Sequence, residues 1–153
     1  MTEQKQTKQK EKERLAAVRV RGDIKARRDI KETMRLLNLF AQNHCVVVDN
    51  NSSNNGMLNK VKDYITWGEL EPELYIELIK KRGERYKGLL EDKKGKVKYN
   101  RFIIYNKIKY KKYFRLNPPK GGYERKGVKK SYAQGGALGY RGKEINKLIE
   151  RML

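Results

Sequence analysis

The apolar positions begin with a short alternating run near the N terminus. Val18 and Val20 alternate with Arg19 and Arg21, and a period of two is typical of a half-buried strand. From about residue 25 the period becomes that of a helix, because one apolar stripe recurs at Ile30, Met34, Leu37 and Ala41. The pattern therefore predicts a strand followed by an amphipathic helix.

A second strand and a second helix follow. Residues 45–48 form a short valine-rich run, as expected of a central strand covered by helices. Residues 49–56 are a polar loop in which Asn54 or Asn55 can cap a helix with apolar positions from Met57 to Ile65. Residues 66–70 predict a short third strand. The order β-α-β-α-β predicts an α+β fold, a two-layer core with helices on one face of a small sheet.

The remaining chain holds two further predicted helices. Pro72 suits the first position of a helix, residues 80–82 are basic and Gly83 follows, in agreement with the helix dipole and with capping preferences. Even spacing of apolar residues in 102–114 allows one or two irregular strands. Residues 144–153 predict a terminal helix facing a partner surface, with Ile145, Leu148, Ile149 and Met152 on its apolar side.

Charge divides the chain unevenly. The sequence has 38 basic and 18 acidic residues, a net charge of +20. Residues 1–92 hold 19 basic and 15 acidic side chains, whereas residues 93–153 hold 19 and 3. Together with the apolar pattern this predicts a basic mobile tail (1–14), an α+β core (15–83), a lysine-rich insertion (84–112) and a basic extension with a terminal helix (113–153). The excess charge favours a polyanionic partner.

Several classes of function are disfavoured by the residues present. Cys45 is the only cysteine and His44 the only histidine, so an intrachain disulfide is excluded and a metal site is not expected. Their pairing as a nucleophile and base is weak, because adjacent strand residues point to opposite faces. The carboxylates at residues 69–77 surround a helix start, where the dipole explains them. We expect a cytoplasmic protein with no cofactor, no membrane segment and no enzymatic activity.

Binding to nucleic acid is the favoured function. Between residues 93 and 112 nine basic residues are interleaved with aromatic rings, which supplies cations for phosphates and flat surfaces for bases. Anionic membranes are less favoured, because the charged stretches lack a wide apolar helical face. The segments 115–123 and 135–142 are rich in glycine or proline and lack the spacing of a nucleotide-binding loop. We expect them to fit closely against RNA backbone, with a disordered linker as the alternative.

Several motifs then point to one family. They occur, in order, at residues 18–22, 28–37, 43–48, 56–68, 115–123 and 135–149. They resemble the archaeal and eukaryotic members of universal large-subunit ribosomal protein family thirty, whose eukaryotic counterpart is called large-subunit protein seven. The resemblance implies an antiparallel sheet with some likeness to ferredoxin-like folds and a structural role in gripping large-subunit ribosomal RNA. It also implies that a loop at residues 52–57 and the Pro-Pro-Lys-Gly-Gly segment lie against RNA.

The resulting hypothesis is a structural constituent of the ribosome. The core would present cations to RNA phosphates, and the extension would become folded on the RNA. Expected partners are large-subunit ribosomal RNA and neighbouring proteins, with one copy in each ribosome. The alternatives are an RNA chaperone or DNA-compacting protein outside the ribosome, and an RNA-modifying enzyme. The expected RNA-binding residues are Arg19, Arg21, Arg27, Arg28, Asn55, Lys60, Arg115, Lys120, Gly121, Gly122, Tyr123, Tyr140 and Arg141.

Overall fold

The computed structural model describes residues 13–153, and its first half follows the predicted alternation of strands and helices. The strands are β1 (Arg14–Arg19), β2 (His44–Asp49) and β3 (Ile65–Glu69), and the helices are α1 (Arg28–Leu36), α2 (Ser52–Lys60) and α3 (Pro72–Arg82). The predicted β-α-β-α-β order is confirmed. Residues 1–12 of the predicted tail lie outside the described residues, and Arg14 already belongs to β1.

The second half contributes four more strands and one helix. These are β4 (Phe102–Tyr105), β5 (Ile108–Lys111), β6 (Tyr113–Arg115), β7 (Gly139–Tyr140) and α4 (Ile145–Met152). Strands β4 and β5 form a separate hairpin, in which Ile103 lies opposite Tyr110. Strands β6 and β7 instead join the main sheet, whose order is β6-β2-β1-β3-β7.

The central part of the main sheet is antiparallel, as predicted. Strand β1 pairs antiparallel with both β2 and β3, so that Ala16 lies opposite Val47 on one side and Gly68 on the other. Strand β6 adds to β2 in the antiparallel sense, whereas β7 adds parallel to β3. The sheet is therefore mixed only at the β7 edge.

Helices cover both faces of this sheet. On one face Leu15 and Ala17 pack with residues of α1 and α2, which is the predicted two-layer core. On the other face Ala16 and Val18 pack with residues of α3 and α4. The prediction of a half-buried β1 was wrong, because its small apolar side chains leave room for a helix layer on each side: residues 15–20 are all buried.

Helix α4 corrects a second expectation. Its apolar side was predicted to face a partner surface, yet Ile145, Leu148, Ile149 and Met152 are 0% exposed and lie in the protein's own core. Phe114 of β6 lies in the same cluster and is also 0% exposed. Residues after 112 thus extend the sheet through β6 and β7, and α4 joins α3 in a third layer on its second face.

Helix α2 begins earlier than predicted. The loop expected at residues 52–57 is helical, and its cap is Asn51 rather than Asn54 or Asn55: the Asn51 side-chain oxygen accepts a hydrogen bond from the Asn54 backbone N–H at 2.8 Å. Serine and asparagine have weak helix propensity, which made the segment look like a loop. Burial of Leu58, which is 0% exposed, supplies the tertiary contact that stabilises this helix.

Two glycines make a matched pair for testing the packing. A Cβ at Gly68 in β3 would overlap the backbone carbonyl of Gly142, whereas a Cβ at Gly56 in α2 would meet no atom within 4 Å. We expect Gly68→Ala to lower the free energy of unfolding by about 1–3 kcal/mol through overpacking. Gly56→Ala should raise it by about 0.5–1 kcal/mol, because alanine is the better helix residue. Urea unfolding of both variants checks this, and equal effects of the two would contradict the packing of β3.

Candidate nucleic-acid interface

Residues 117–138, which we call the cap segment, cross one end of the main sheet. Just before it, the Leu116 backbone N–H donates to the Asn43 carbonyl at 3.1 Å. Ala137 and Leu138 of the segment pack on Val20, directly after β1. At its far end the Thr66 hydroxyl donates to the Gly139 carbonyl at 2.9 Å. The cap segment is therefore attached where β1 ends and β2 and β3 begin.

Arg151 of α4 holds the first turn of the cap segment. Its guanidinium donates to the carbonyls of Gly122 at 3.0 Å and Tyr123 at 3.3 Å. The Lys120 backbone N–H donates to the Arg151 carbonyl at 3.0 Å. Because α4 is itself buried in the core, these bonds fix the turn to a rigid helix.

Within that turn the glycines meet a backbone requirement. Gly121 and Gly122 have φ of +79° and +81°, and a Cβ at either would meet no atom within 4 Å, so their conformation favours glycine. Lys120 beside them is exposed. Tyr123 is half-buried, its hydroxyl bonds the Asn43 side chain, and burial raises its pKa to about 12. The turn thus presents backbone and one cation, while the tyrosine anchors it.

Arg141 anchors the other end of the cap segment. The guanidinium donates to the Thr66 hydroxyl at 2.8 Å, the Glu124 carboxylate at 2.9 Å and the Ala137 carbonyl at 2.9 Å. It also lies 4.7 Å from the ring centre of Tyr132. The residue is 5% exposed. Burial lowers its pKa and Glu124 raises it, and an arginine stays charged under both influences.

Arg141 and Arg19, both predicted to bind RNA, are buried in the protein and bond to its own groups. Arg19 is 3% exposed, and its guanidinium donates to the Leu39 carbonyl at 3.0 Å and pairs with Asp23 at 3.0 Å. Alternation in β1 suggested an outward-facing side chain, but Arg19 lies on the same face of β1 as Leu15 and Ala17, where the residues after α1 and after β1 enclose it. Neither guanidinium is at the surface, where it could reach a phosphate.

Among the glycines at residues 135–142, Gly136 makes a close contact within the protein. A Cβ at Gly136 would collide with the backbone carbonyl group of Lys130. Gly135 and Gly139 have φ of +86° and +89°. The sequence suggested a close backbone approach in this segment, and at Gly136 that approach is to the protein's own chain. This contact folds residues 126–138 into a compact turn, which is closed by a hydrogen bond from the Ala137 N–H to the Gly127 carbonyl at 3.1 Å.

The surface of this region carries cations without matching carboxylates. Between residues 93 and 143 the only acid is Glu124, and it is engaged with Arg141 at 2.9 Å and Arg151 at 3.8 Å. Of the 19 basic residues in 93–153, five form ion pairs within the described chain, so 14 do not. In the cap segment the exposed ones without such a pair are Lys120, Arg125, Lys126, Lys129 and Lys130.

The cations predicted near α1 are compensated by neighbouring acids. Arg27 and Lys60 approach the Asp29 carboxylate at 2.9 Å and 3.9 Å, and Arg28 pairs with Glu32 at 2.9 Å. The carboxylate of Asp29 thereby links α1 to the end of α2. These groups remain exposed, but the two carboxylates offset two of the three positive charges.

Two further predicted residues, Arg21 and Asn55, also make internal contacts. Arg21 donates to the Asp63 carbonyl at 3.3 Å and lies 5.4 Å from the Tyr64 ring centre. The Asn55 side chain donates to the Asn50 side chain at 2.9 Å. Arg21 follows Val20 and so lies at the same end of the sheet as the cap segment, whereas Asn55 lies on α2, away from that end.

The last two predicted residues belong to opposite edges of the sheet. Tyr140 in β7 is 54% exposed, and its hydroxyl bonds the Glu69 carboxylate. Arg115 in β6 bonds the Glu84 carboxylate, which also accepts from the Lys111 ammonium at 2.7 Å. Glu84 therefore ties the hairpin to the edge of the main sheet.

The Glu84 cluster should make stability depend on pH. Its hydrogen bonds with Arg115 and Lys111 lower the pKa of Glu84 to about 2, below its ordinary value of 4.5. A lowered folded-state pKa contributes stability above pH 4.5 that is lost as the pH falls through 2. We expect Glu84→Gln to be less stable than the native chain at pH 6, with the difference shrinking toward pH 2. Thermal unfolding across this range measures it, and a constant difference would contradict the pairing.

The two residues considered for chemistry are packed into the structure. Cys45 is 0% exposed, and burial raises the pKa of its thiol to about 12. The His44 ring stacks on Tyr113 with 5.2 Å between ring centres, and its pKa is lowered by burial and by the charges of Arg115 and Arg19. Within residues 13–153 no three His, Cys, Asp or Glu side chains converge as a metal ion would require. No helix in this range has the length and apolar character to cross a bilayer.

The amino-acid sequence is similar to those of known proteins. A family profile described as "Ribosomal protein L30p/L7e" matches residues 15–65, which span β1 to the start of β3. The large ribosomal subunit protein uL30 of Methanopyrus kandleri is 45% identical over 149 residues, covering 88% of this chain and all of that protein. The chain belongs to the uL30 family. The uL30 proteins of Nanoarchaeum equitans and Methanococcus vannielii are 43% and 42% identical, each over 90% of this chain and at least 97% of their own length.

Membership of the uL30 family confirms the resemblance seen in the motifs. The alignments cover 88% and 90% of this chain, so they extend well beyond the profile-matched residues 15–65. The exposed cations Arg125, Lys126, Lys129 and Lys130 were not among the residues predicted to bind RNA. The sequence carries a signal for them, because almost no acidic residues surround them in the chain.

Proposed function

We propose that this uL30 family member is a structural constituent of the large ribosomal subunit that binds ribosomal RNA through the cap segment and the lysine-rich insertion. The observation that supports this most is the set of 14 basic residues in 93–153 that lack an ion pair within the described chain. Such a surface gains free energy by replacing condensed counterions around phosphates. Its relatives are named as large ribosomal subunit proteins.

The cap segment supplies these cations on a prearranged framework. Arg151 and Arg141 fix its two ends to α4 and β3 through hydrogen bonds of 2.8–3.3 Å. Binding therefore does not require the whole segment to become ordered, which reduces the entropic cost of association. Phosphate contacts of this kind position a protein on RNA without reading sequence, so specificity must come from the shape of the RNA.

The other proposed partners are neighbouring ribosomal proteins, with one copy of this chain in each cytoplasmic ribosome. The uL30 relatives are named as components of the large subunit, an assembly of several proteins and RNA, and this supports such contacts. No turnover chemistry is proposed. Quantitative mass spectrometry of purified large subunits tests the copy number, with a molar ratio to other subunit proteins near one expected.

Sedimentation of a cell lysate tests the proposed function. We expect the chain to travel with large subunits through a sucrose gradient in moderate salt. Neutralising the cap segment in the variant Arg125→Gln, Lys126→Gln, Lys129→Gln, Lys130→Gln should shift the protein toward the top of the gradient as salt is raised. Absence of the native chain from the large-subunit fraction would contradict the ribosomal assignment. Sedimentation with DNA, or with free RNA of many kinds, would favour the chaperone or compaction alternative.

A further inference from the structure

An open cleft lies on the side of the molecule where the lysine-rich insertion meets the core. Its volume is about 440 Å³, and its walls come from the residues after α1, the segment after α3, the turn before β4 and the start of β6. A volume of this size falls within the range of small-molecule and cofactor sites, roughly 300–1,000 Å³. The cleft is separate from the cap segment, since no residue of 117–138 lines it.

Aromatic rings form one part of the cleft. Phe40 is 51% exposed and meets the Tyr113 ring edge to face, with 5.3 Å between ring centres. The Tyr113 ring is supported from behind by the stacked His44 ring at 5.2 Å. Tyr86 lines the same cleft and leans over Gly88, where a Cβ would collide with its ring. The Lys111 ammonium also lies over the Tyr113 ring, 5.6 Å from its centre. Phe40 is therefore the ring that offers an exposed stacking surface for a flat ligand, and Tyr113 holds it in place.

The charges around these rings are all positive. Lys87, Arg101, Lys111 and Lys112 line the cleft, and no carboxylate does. Lys111 is compensated by Glu84 at 2.7 Å. The other three make no ion pair within residues 13–153. The ligand that complements this cleft therefore carries negative charge next to an aromatic group.

Two side-chain amides complete the cleft. Asn38 and Asn100 line it. Neither side chain forms a hydrogen bond within residues 13–153, whereas the amides of Asn54 and Asn55 do. An amide both donates and accepts, so it can pair with the edge of a nucleobase. Asn38 is held at φ +59°, two residues after the end of α1, which sets its position relative to Phe40.

We propose that this cleft binds one unstacked nucleotide of RNA, with its base stacked on Phe40 and its flanking phosphates on Lys87, Arg101 and Lys112. The proposal rests on the RNA-binding function above and adds a specific contact to it. Phosphate cations alone would suit any polyanion, but rings and free amides beside them match a nucleotide. Single-stranded RNA is commonly recognised in this way, by stacking of splayed bases on aromatic side chains.

Short oligonucleotides test the cleft with the full-length chain. The probes are a uridine pentanucleotide and a pentanucleotide of the same charge that lacks bases. At low salt we expect the uridine probe to bind the native chain about tenfold more tightly than the abasic probe, in keeping with base stacking on aromatic side chains. Phe40→Ala should remove that difference while leaving abasic binding unchanged. Lys112→Gln should weaken both probes alike.

A matched control and a location readout accompany the affinities. Ile24→Ala replaces an apolar side chain that is 91% exposed and lies outside the cleft, so it should leave both affinities unchanged. A 4-thiouridine in the middle of the pentanucleotide should cross-link, on irradiation, to Phe40, Tyr86 or Tyr113. Equal cross-linking to the cap segment and to the cleft would overturn the proposal.

The outcomes separate this proposal from the broader function. If the native chain binds large-subunit ribosomal RNA but does not distinguish the two probes, or if Phe40→Ala binds both as the native chain does, the nucleotide cleft is overturned and RNA binding stands. If the native chain binds no ribosomal RNA, both proposals fail. Displacement of the uridine probe by a glutamate-rich peptide with the same dependence on Phe40 would assign the cleft to a protein partner and overturn it as well.

Discussion

Replacement of Arg141 by methionine should lower the free energy of unfolding by about 3 kcal/mol, near the lower end of the cost of removing one partner of a buried ion pair. The guanidinium bonds Thr66, Glu124 and Ala137 at 2.8–2.9 Å and is almost fully enclosed. Methionine fills much of the volume but leaves the Ala137 carbonyl and the Glu124 carboxylate without their donor. The lower end applies because Glu124 keeps partial exposure of 29% and its longer contact to Arg151.

Two companion variants separate structure from binding. Arg125→Met changes an exposed arginine of the cap segment, so urea unfolding should show a change within about 0.5 kcal/mol while RNA affinity falls. The double variant Arg141→Met, Glu124→Gln should cost less than the sum of its single changes, because it removes both members of the pair. Equal stability of Arg141→Met and the native chain would contradict the buried network.

Replacement of Leu148 by alanine should lower the free energy of unfolding by about 2–5 kcal/mol, the range for deleting a buried leucine side chain. Leu148 is 0% exposed and lies in the cluster that joins α4 to α3, β1 and β6. The neighbouring Lys147→Ala is the matched control, because that side chain is 73% exposed and makes only an i,i+3 pair with Glu144. Its effect should stay within about 0.5 kcal/mol.

This pair of variants also decides whether the C-terminal region folds without RNA. If residues 113–153 became ordered only on RNA, Leu148→Ala and Lys147→Ala would have equally small effects on the free protein. A much larger loss of unfolding free energy in Leu148→Ala than in Lys147→Ala, measured without RNA, would show that α4 packs on the sheet in the free protein. Amide exchange of the free chain gives the same decision residue by residue, with strong protection expected at Phe114 and Leu148.

The order of elements up to residue 82 could be predicted from the sequence because each has a local signal. Pro72, the basic last turn and Gly83 define α3, and the structure places that helix at Pro72–Arg82. Apolar periodicity was likewise sufficient for α1 and for the valine-rich β2. The capping role of Asn51 was not predicted, because several nearby asparagines could each cap the helix. Only the tertiary burial of Leu58 decides which of them does.

The third layer could not be predicted because it depends on contacts between distant residues. The apolar side of α4 is plain in the sequence, but nothing local says whether it meets a partner or the sheet. The burial of Arg19 and Arg141 could not be predicted for the same reason. A basic residue in a basic protein suggests phosphate binding, whereas the bonds from Arg141 to Thr66, 75 positions away, exist only in the folded chain. Family motifs gave the function class without the roles of single arginines.

The dependence of ribosomal RNA binding on salt tests the central claim most directly. Lys129→Gln, Lys130→Gln removes two adjacent cations of the cap segment, and Lys80→Gln, Lys81→Gln removes two adjacent cations at the end of α3, where Lys81 pairs with Glu77 at 2.6 Å. The slope of log affinity against log salt for large-subunit ribosomal RNA should become shallower by about one to two in the first variant and stay unchanged in the second. Equal slopes for the native chain and the cap-segment variant would contradict binding through this surface.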